Sequence, residues 1–268
     1  MLSISDLRRW TGIGCLALLA AAHQAQALPL PIAAEDDAGP WSYRDGTGLA
    51  NDEVQAAFRA VGVGIQMNVM PYARCKDYVE RGKMAAAFSM SWVDDLKGKV
   101  LFPSQPLFIC HSDFFYKPLT PLTATDKDGF APGTKVGVVI GYEYPPLLYD
   151  LQARGSVVLE GSESEDLNLK KLMLGRIDSA LLNYNEFKPV SLMLAKAGVQ
   201  GPLQRAFSCG DLRSYIGFSV KHPRGRWARK KFELGFERIR ASGELRQIEE
   251  RWMTAAQQRA ASMTPQHE

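Results

Sequence analysis

Residues 78–90, YVERGKMAAAFSM, and residues 171–183, KLMLGRIDSALLN, share one layout. In each, a helix ends, a glycine turns the chain, a basic residue follows, and an apolar run enters a strand. The run MAAAFSM is continuous rather than alternating, as expected of a strand covered on both faces. Two such units, about ninety residues apart, suggest two α/β halves built alike.

Working outward, LPLPIAA reads as a strand that ends in the turn-rich stretch from Glu35 to Pro40. WSYRDGTG is a connection. Asn51 or Asp52 then caps a helix with Val54, Ala57, Phe58 and Val61 on one face. IQMNVM is a strand, and PYARCKDYVERGK is a helix entered through proline. The middle of the chain repeats this grammar. TKVGVVIG runs into a glycine turn, YPPLLYDLQARG is helical and VVLEG is extended. SEDLNLKKLMLGR is a helix capped by Ser164, and IDSALLN leads into a helix over YNEFKPVSLMLAKAG. RSYIGFSVK is a strand, followed by an amphipathic helix from about Gly225 to Arg240. A break at Ala241-Ser242-Gly243 precedes a last helix, ELRQIEERWM, and residues beyond about Ala255 read as a frayed tail. Alternating strands and helices imply mostly parallel sheets with helices on both faces.

The first 27 residues read as a signal peptide. Arg8 and Arg9 form a basic start, GIGCLALLAAA is too short to span a bilayer, and Ala25-Gln26-Ala27 offers a small-x-small cleavage site. The remaining chain is expected in a bacterial periplasm. Removing Arg8, Arg9 and Asp6 lowers the formal charge from +3 to +2, a near balance with no electrostatic footprint for nucleic acid. Three cysteines remain, Cys75, Cys110 and Cys209, which leaves room for one disulfide with three possible pairings. Without C-x-x-C and with few histidines, no metal site is expected.

Five passages, PWSYRDGTGLANDEVQAAF, the unit ending in FSMS, KVGVVIG, LMLGRIDSALLN and ASGELRQIEERW, resemble the family 3 extracellular solute-binding proteins. Their order and spacing carry the likeness. It implies the α/β type II periplasmic binding protein fold: two lobes, each a mostly parallel sheet flanked by helices, joined by two crossing strands. The crossings are expected near Cys110 to Asp113 and Asp211 to Tyr215. Lobe 1 is then residues 28–110 and 214–268, and lobe 2 residues 111–213, with a ligand held in the cleft between them.

Members of that family that bind amino acids use an arginine for the α-carboxylate and an aspartate for the α-ammonium. Here Leu96 stands at the arginine's place, Ser91 at that of a threonine in the same passage, and Asn183 at that of the aspartate. Losing one partner of a buried charge pair costs about 2–5 kcal/mol, so a standard α-amino acid is not expected as the ligand. Tyr142 replaces a hydroxyl residue after the glycine turn, Met84 stands where aspartate is common, and Asp178 is kept.

Candidate ligand contacts are Asn183 and Glu35 from opposite lobes, and Arg74 as a substitute positive charge. Ser91 or its neighbour Ser89 is directed inward by strand alternation, and Trp41, Tyr72, Trp92, Tyr142 and Tyr184 are candidate aromatic walls. The expected function is capture of a small polar or aromatic solute for an inner-membrane ABC-type permease, by a monomer, without catalysis or cofactor. The alternative is an accessory or sensor protein whose cleft meets a partner protein. A hydrolase based on His111 lacks any G-x-S-x-G passage.

Overall fold

The computed structural model describes residues 28–119, 122 and 130–263. The expected signal peptide lies outside the described residues. In chain order the elements are β1 Leu30–Glu35, β2 Asp37–Ala38, β3 Ser42–Tyr43, α1 Leu49–Arg59, β4 Ile65–Met70, α2 Tyr72–Glu80 and β5 Ala86–Ser91. A single 3-10 turn, Asp94–Leu96, leads to β6 Val100–Leu101 and β7 Phe108–Tyr116. Then come β8 Thr134–Val139, α3 Pro146–Ala153, β9 Val157–Ser162, α4 Glu165–Met173, β10 Ser179–Tyr184 and α5 Val190–Ala197. The chain ends with β11 Gln204–Ser219, α6 Gly225–Ser242 and α7 Glu244–Met263.

The strands join in the order β4-β1-β5-β11-β7-β10-β8-β9, with β6 also on β11. Both outer portions are parallel: β4, β1 and β5 at one end, β10, β8 and β9 at the other. Between them run β7 and β11, antiparallel to each other and to their neighbours. Strand β11 changes partners along its length. Its residues from Ser214 onward pair with β5, while Asp211 lies opposite His111 and Gln204 opposite Tyr116.

Each parallel portion carries apolar packing on both faces. Ile32 packs with Phe58, Phe88, Phe218 and Phe232, whereas the next residue, Ala33, packs on the other side with Tyr72, Cys75, Val79 and Met90. In the second half Leu181 joins Phe114, Val136 and Leu148, and Leu182 joins Phe115, Leu169 and Ile177. Four apolar clusters around two parallel portions account for the continuous apolar strands of the sequence.

Several local expectations change. Helix α1 starts at Leu49 with Gly48 in the capping place and no side-chain cap. Asn51 sits inside its first turn, buried, and its Nδ2 donates back to the Gly46 carbonyl at 2.9 Å. Ser164 does cap α4, accepting from the Leu167 N–H. Helix α5 begins only after Pro189, because Tyr184 completes β10 and Asn185 organises the intervening turn through the Phe187 and Lys188 N–H groups. The last helix does not stop near Ala255 but continues to Met263. Among the described residues the three cysteines, Cys75, Cys110 and Cys209, are free and buried. Each belongs to a different apolar cluster, Cys75 under α2, Cys110 beside Phe108 and Cys209 beside Phe207, so no pair is brought together.

Candidate functional site

Where the two halves of the sheet meet, a closed cleft holds a cavity of about 30 Å³, room for one or two waters. The first half contributes Glu35, Trp41, Tyr72, Ser89 and Ser91, and the second contributes Tyr142, Glu143 and Asn183. Of the nine residues singled out in the sequence, Glu35, Trp41, Tyr72, Ser91, Tyr142 and Asn183 line this cavity.

The other three lie elsewhere, for simple geometric reasons. Tyr184 follows Asn183 in a strand, so it leaves by the opposite face. Its hydroxyl donates to Asp113 at 2.6 Å and its ring packs edge-on to Phe115. Trp92 follows Ser91 and is 58% exposed. Arg74 is exposed, because α2 buries Tyr72, Cys75 and Val79 along one stripe. Lys76, one turn beyond Tyr72, is the α2 cation that pairs across to the second half, at Glu143.

Glu35 ends β1, with its carbonyl fixed by the Ser42 hydroxyl at 2.6 Å. Its carboxyl accepts the Tyr142 hydroxyl at 2.5 Å. Burial pushes its pKa up to about 8, against the lowering effect of the Tyr142 hydrogen bond and the Lys188 charge. At neutral pH it is therefore mostly a protonated acid, able to donate as well as accept.

Glu143, in the turn between β8 and α3, reaches across the cleft. It accepts from the Tyr72 hydroxyl and, at 3.2 Å, from the Ser91 N–H, while Lys76 Nζ stands 2.9 Å from its other oxygen. Burial and the adjacent Glu143 charge push the Tyr72 phenol well above its ordinary range, so it stays a donor. The same holds for Tyr142, through burial and then Glu35. The two phenols also meet edge-on at 5.1 Å.

Asn183 accepts the Ser112 hydroxyl at 2.5 Å, and its N–H donates to Glu165 at 2.9 Å. Glu165 is paired with Lys188, and the Lys188 ammonium lies 4.7 Å from the centre of the Trp41 ring. Trp41 in turn stacks on Phe108 at 4.4 Å. Beyond this buried pair a second cavity of about 240 Å³ opens between Asp37, Tyr43, Lys196 and Arg259.

Two polar groups on the first cavity's wall have no protein partner, the Trp41 Nε1–H and the Ser89 hydroxyl, and a third atom there, Glu143 Oε1, has the Lys76 ion pair but no hydrogen bond. Ser89 also has φ +66°, the one non-glycine residue with positive φ among the described residues. Backbone strain of this kind costs about 1–3 kcal/mol and gathers at functional sites. Ser89 and Ser91 both line the cavity, where one of the two was expected. The positive φ of Ser89 breaks the alternation of β5, so that Phe88 and Met90 fall in clusters on opposite faces.

Leu96, where the resemblance places an arginine, is fully buried among Tyr72, Cys75, Val79 and Met90 and does not line the cavity. Asp178 accepts the Lys135 N–H at 2.8 Å, a contact that ties β8 to the turn before β10. Glu143, Lys76, Glu165 and Lys188 were not evident as site residues in the sequence. For Lys76 there was a signal, its spacing of four from Tyr72 on one helix.

No family model and no curated protein matches the sequence. Solved structures do match. A histidine kinase sensor domain with similarity to periplasmic binding proteins superimposes with a TM-score of 0.71 at 15% identity, covering 85% of this chain and 97% of that one. An ancestral arginine-binding protein bound to arginine gives 0.69 at 17% identity, over 84% and 97% of the two chains. An amino acid ABC transporter substrate-binding protein from Streptococcus pneumoniae, bound to L-arginine, gives 0.65 at 19% identity, over 85% and 95%. The chain has the two-lobe α/β fold of the type II periplasmic binding proteins, as a divergent example of it.

Proposed function

We propose that this chain is a periplasmic solute-binding protein. It captures a small polar or aromatic solute, uncharged rather than a standard α-amino acid, and delivers it to an ABC-type permease. The lobes are residues 28–110 with 214–268, and residues 111–213, turning about β7 and β11. The observation that carries the proposal is the pair of unpartnered polar groups, Trp41 Nε1–H and Ser89 Oγ, on the wall of a cavity built from both lobes. A buried donor left unpaired costs about 1–3 kcal/mol, which a solute oxygen would recover.

The charge inventory favours an uncharged guest. Glu143 and Glu165 already hold Lys76 and Lys188, and Glu35 keeps its proton at neutral pH. An α-ammonium finds no free carboxylate and an α-carboxylate no free cation among these cavity groups. The lobes must part to admit a solute, since the closed cavity holds only water-sized groups.

The test is native mass spectrometry of freshly purified protein, followed by melting curves across a metabolite panel. A bound solute at about a hundredfold its Kd stabilises by about 2.7 kcal/mol. Trp41→Phe keeps the ring wall but removes the N–H, and is expected to weaken binding by about tenfold, the worth of one buried hydrogen bond. Tight binding of plain glutamine or lysine would overturn the ligand class.

A second reading is a sensor or accessory module whose cleft engages a partner protein. The bridging of the lobes by their own side chains favours it, through Tyr72 with Glu143 and Lys196 with Asp37, as does the likeness to a kinase sensor domain. A panel that yields no stabilising solute, together with a partner that binds only the closed form, would decide for it.

A further inference from the structure

The carboxylate of Glu143 sits where an anion from outside would sit. Three groups of the first half surround it: the Tyr72 hydroxyl and the Ser91 N–H donate to one oxygen, and the Lys76 ammonium pairs with the other at 2.9 Å. The residue itself is 5% exposed. A backbone N–H, a phenol and an ammonium gathered around one buried carboxylate are the parts from which proteins build anion sites. Here the anion is supplied by the chain.

Its delivery depends on a close approach. Gly141 has φ +88°, and a Cβ placed on it would lie 2.9 Å from the Cβ of Ala73 in α2. The turn carrying Tyr142 and Glu143 is thus pressed against the first turn of the helix that carries Tyr72 and Lys76. Tyr142 bonds Glu35 and the next residue, Glu143, bonds Tyr72 and Ser91, so two adjacent side chains each bridge the lobes.

We infer that Glu143 is a specificity-determining residue of the cleft. As a tethered carboxylate it occupies the three donors of the first lobe, excludes free carboxylates, and reserves the cavity for uncharged solutes. The effective concentration of a group on a short tether is about millimolar or more. A free carboxylate at micromolar levels therefore loses the competition by about a thousandfold. The biological sense of this role rests on the solute-capture reading. Its chemistry does not.

The experiment uses melting curves of the wild type, Glu143→Ala, and Glu143→Ala combined with Lys76→Met. Each is titrated with sodium acetate and sodium propionate against sodium chloride at equal ionic strength. The alanine variant is expected to gain a carboxylate-dependent rise in Tm of roughly 5 °C at about a hundredfold Kd. The wild type shows none beyond the chloride control, and Lys76→Met loses the gain. A folded alanine variant indifferent to both carboxylates overturns the inference. So does a wild type that responds equally, or a gain that survives loss of Lys76. Should the alanine variant not fold, Glu143→Ser leaves the same room with a polar side chain. Carboxylates are then expected to raise its Tm as well, and no rise overturns the inference. A wild type that takes no uncharged solute, beside an alanine variant that gains carboxylates, overturns solute capture while supporting the tethered carboxylate.

Discussion

Glu35 keeps its proton at neutral pH, and this has a measurable sign. In the unfolded chain the carboxyl ionises near 4.5, but in the folded chain it holds its proton until about pH 8. Between those values the unfolded state binds fewer protons, so stability is full below about 4.5 and falls as pH rises towards about 8. The groups facing Glu35 are Tyr142, Lys188, Glu165 and Asp36. The loss is on the order of a few kcal/mol. Urea unfolding of wild type and Glu35→Gln from about pH 5 to about pH 8 reads it directly. The wild type should lose stability across the range relative to the variant, and parallel curves would refute the assignment. Glu35 was legible in the sequence because it ends an apolar strand. Glu143 was not, because a carboxylate inside YEYPP reads as a solvated turn residue, and only the folding of that turn onto α2 shows what it meets.

Single elements were legible where hydrophobic period and breakers agreed, as in β1, β4, α2 and β5. They were misread where a tertiary contact overrode local chemistry. Helix α1 lacks a side-chain cap because Gly48 lies against the Trp41 carbonyl and Ser42, a place where any Cβ would collide. Helix α7 outruns its expected end because neighbours hold the added turns, with Ala256 buried and Arg259 bonding Tyr43. The packing of α1 on α6 turns on one residue. A Cβ at Gly235 would stand 1.9 Å from the Ala57 carbonyl oxygen. Gly235→Ala forces those helices apart, and is expected to destabilise the protein by about 1–3 kcal/mol despite alanine's better helix propensity. Chemical denaturation checks it, and a neutral or stabilising outcome would refute this packing.

At the scale of the whole molecule, the repeated units suggested two halves, and the resemblance to the solute-binding proteins supplied the two-lobe arrangement. The closed cleft was not, since lobe-to-lobe contacts link residues far apart in sequence, such as Glu35 with Tyr142. The cysteines were open from sequence and are settled by packing, each in its own cluster. Burial pushes all three thiols up, Cys209 to about 12. The thiolate is the reactive species, so Ellman's reagent should leave these thiols untouched in the native protein and modify all three after guanidine unfolding. Dithiothreitol should not shift the Tm. Rapid native labelling, or a reductant-sensitive Tm, would contradict three free buried thiols.

Strand β5 finds its antiparallel partner only in the far end of β11, and α1 rests on α6 across more than a hundred and sixty residues of chain. The stretch between them can assemble β8, β9 and β10 from its own length. As the chain folds, its middle can thus form its strands while its opening third still waits for the last. The earliest-made segment is the longest unfinished, and whatever shields its apolar strands during that interval governs how much protein is recovered.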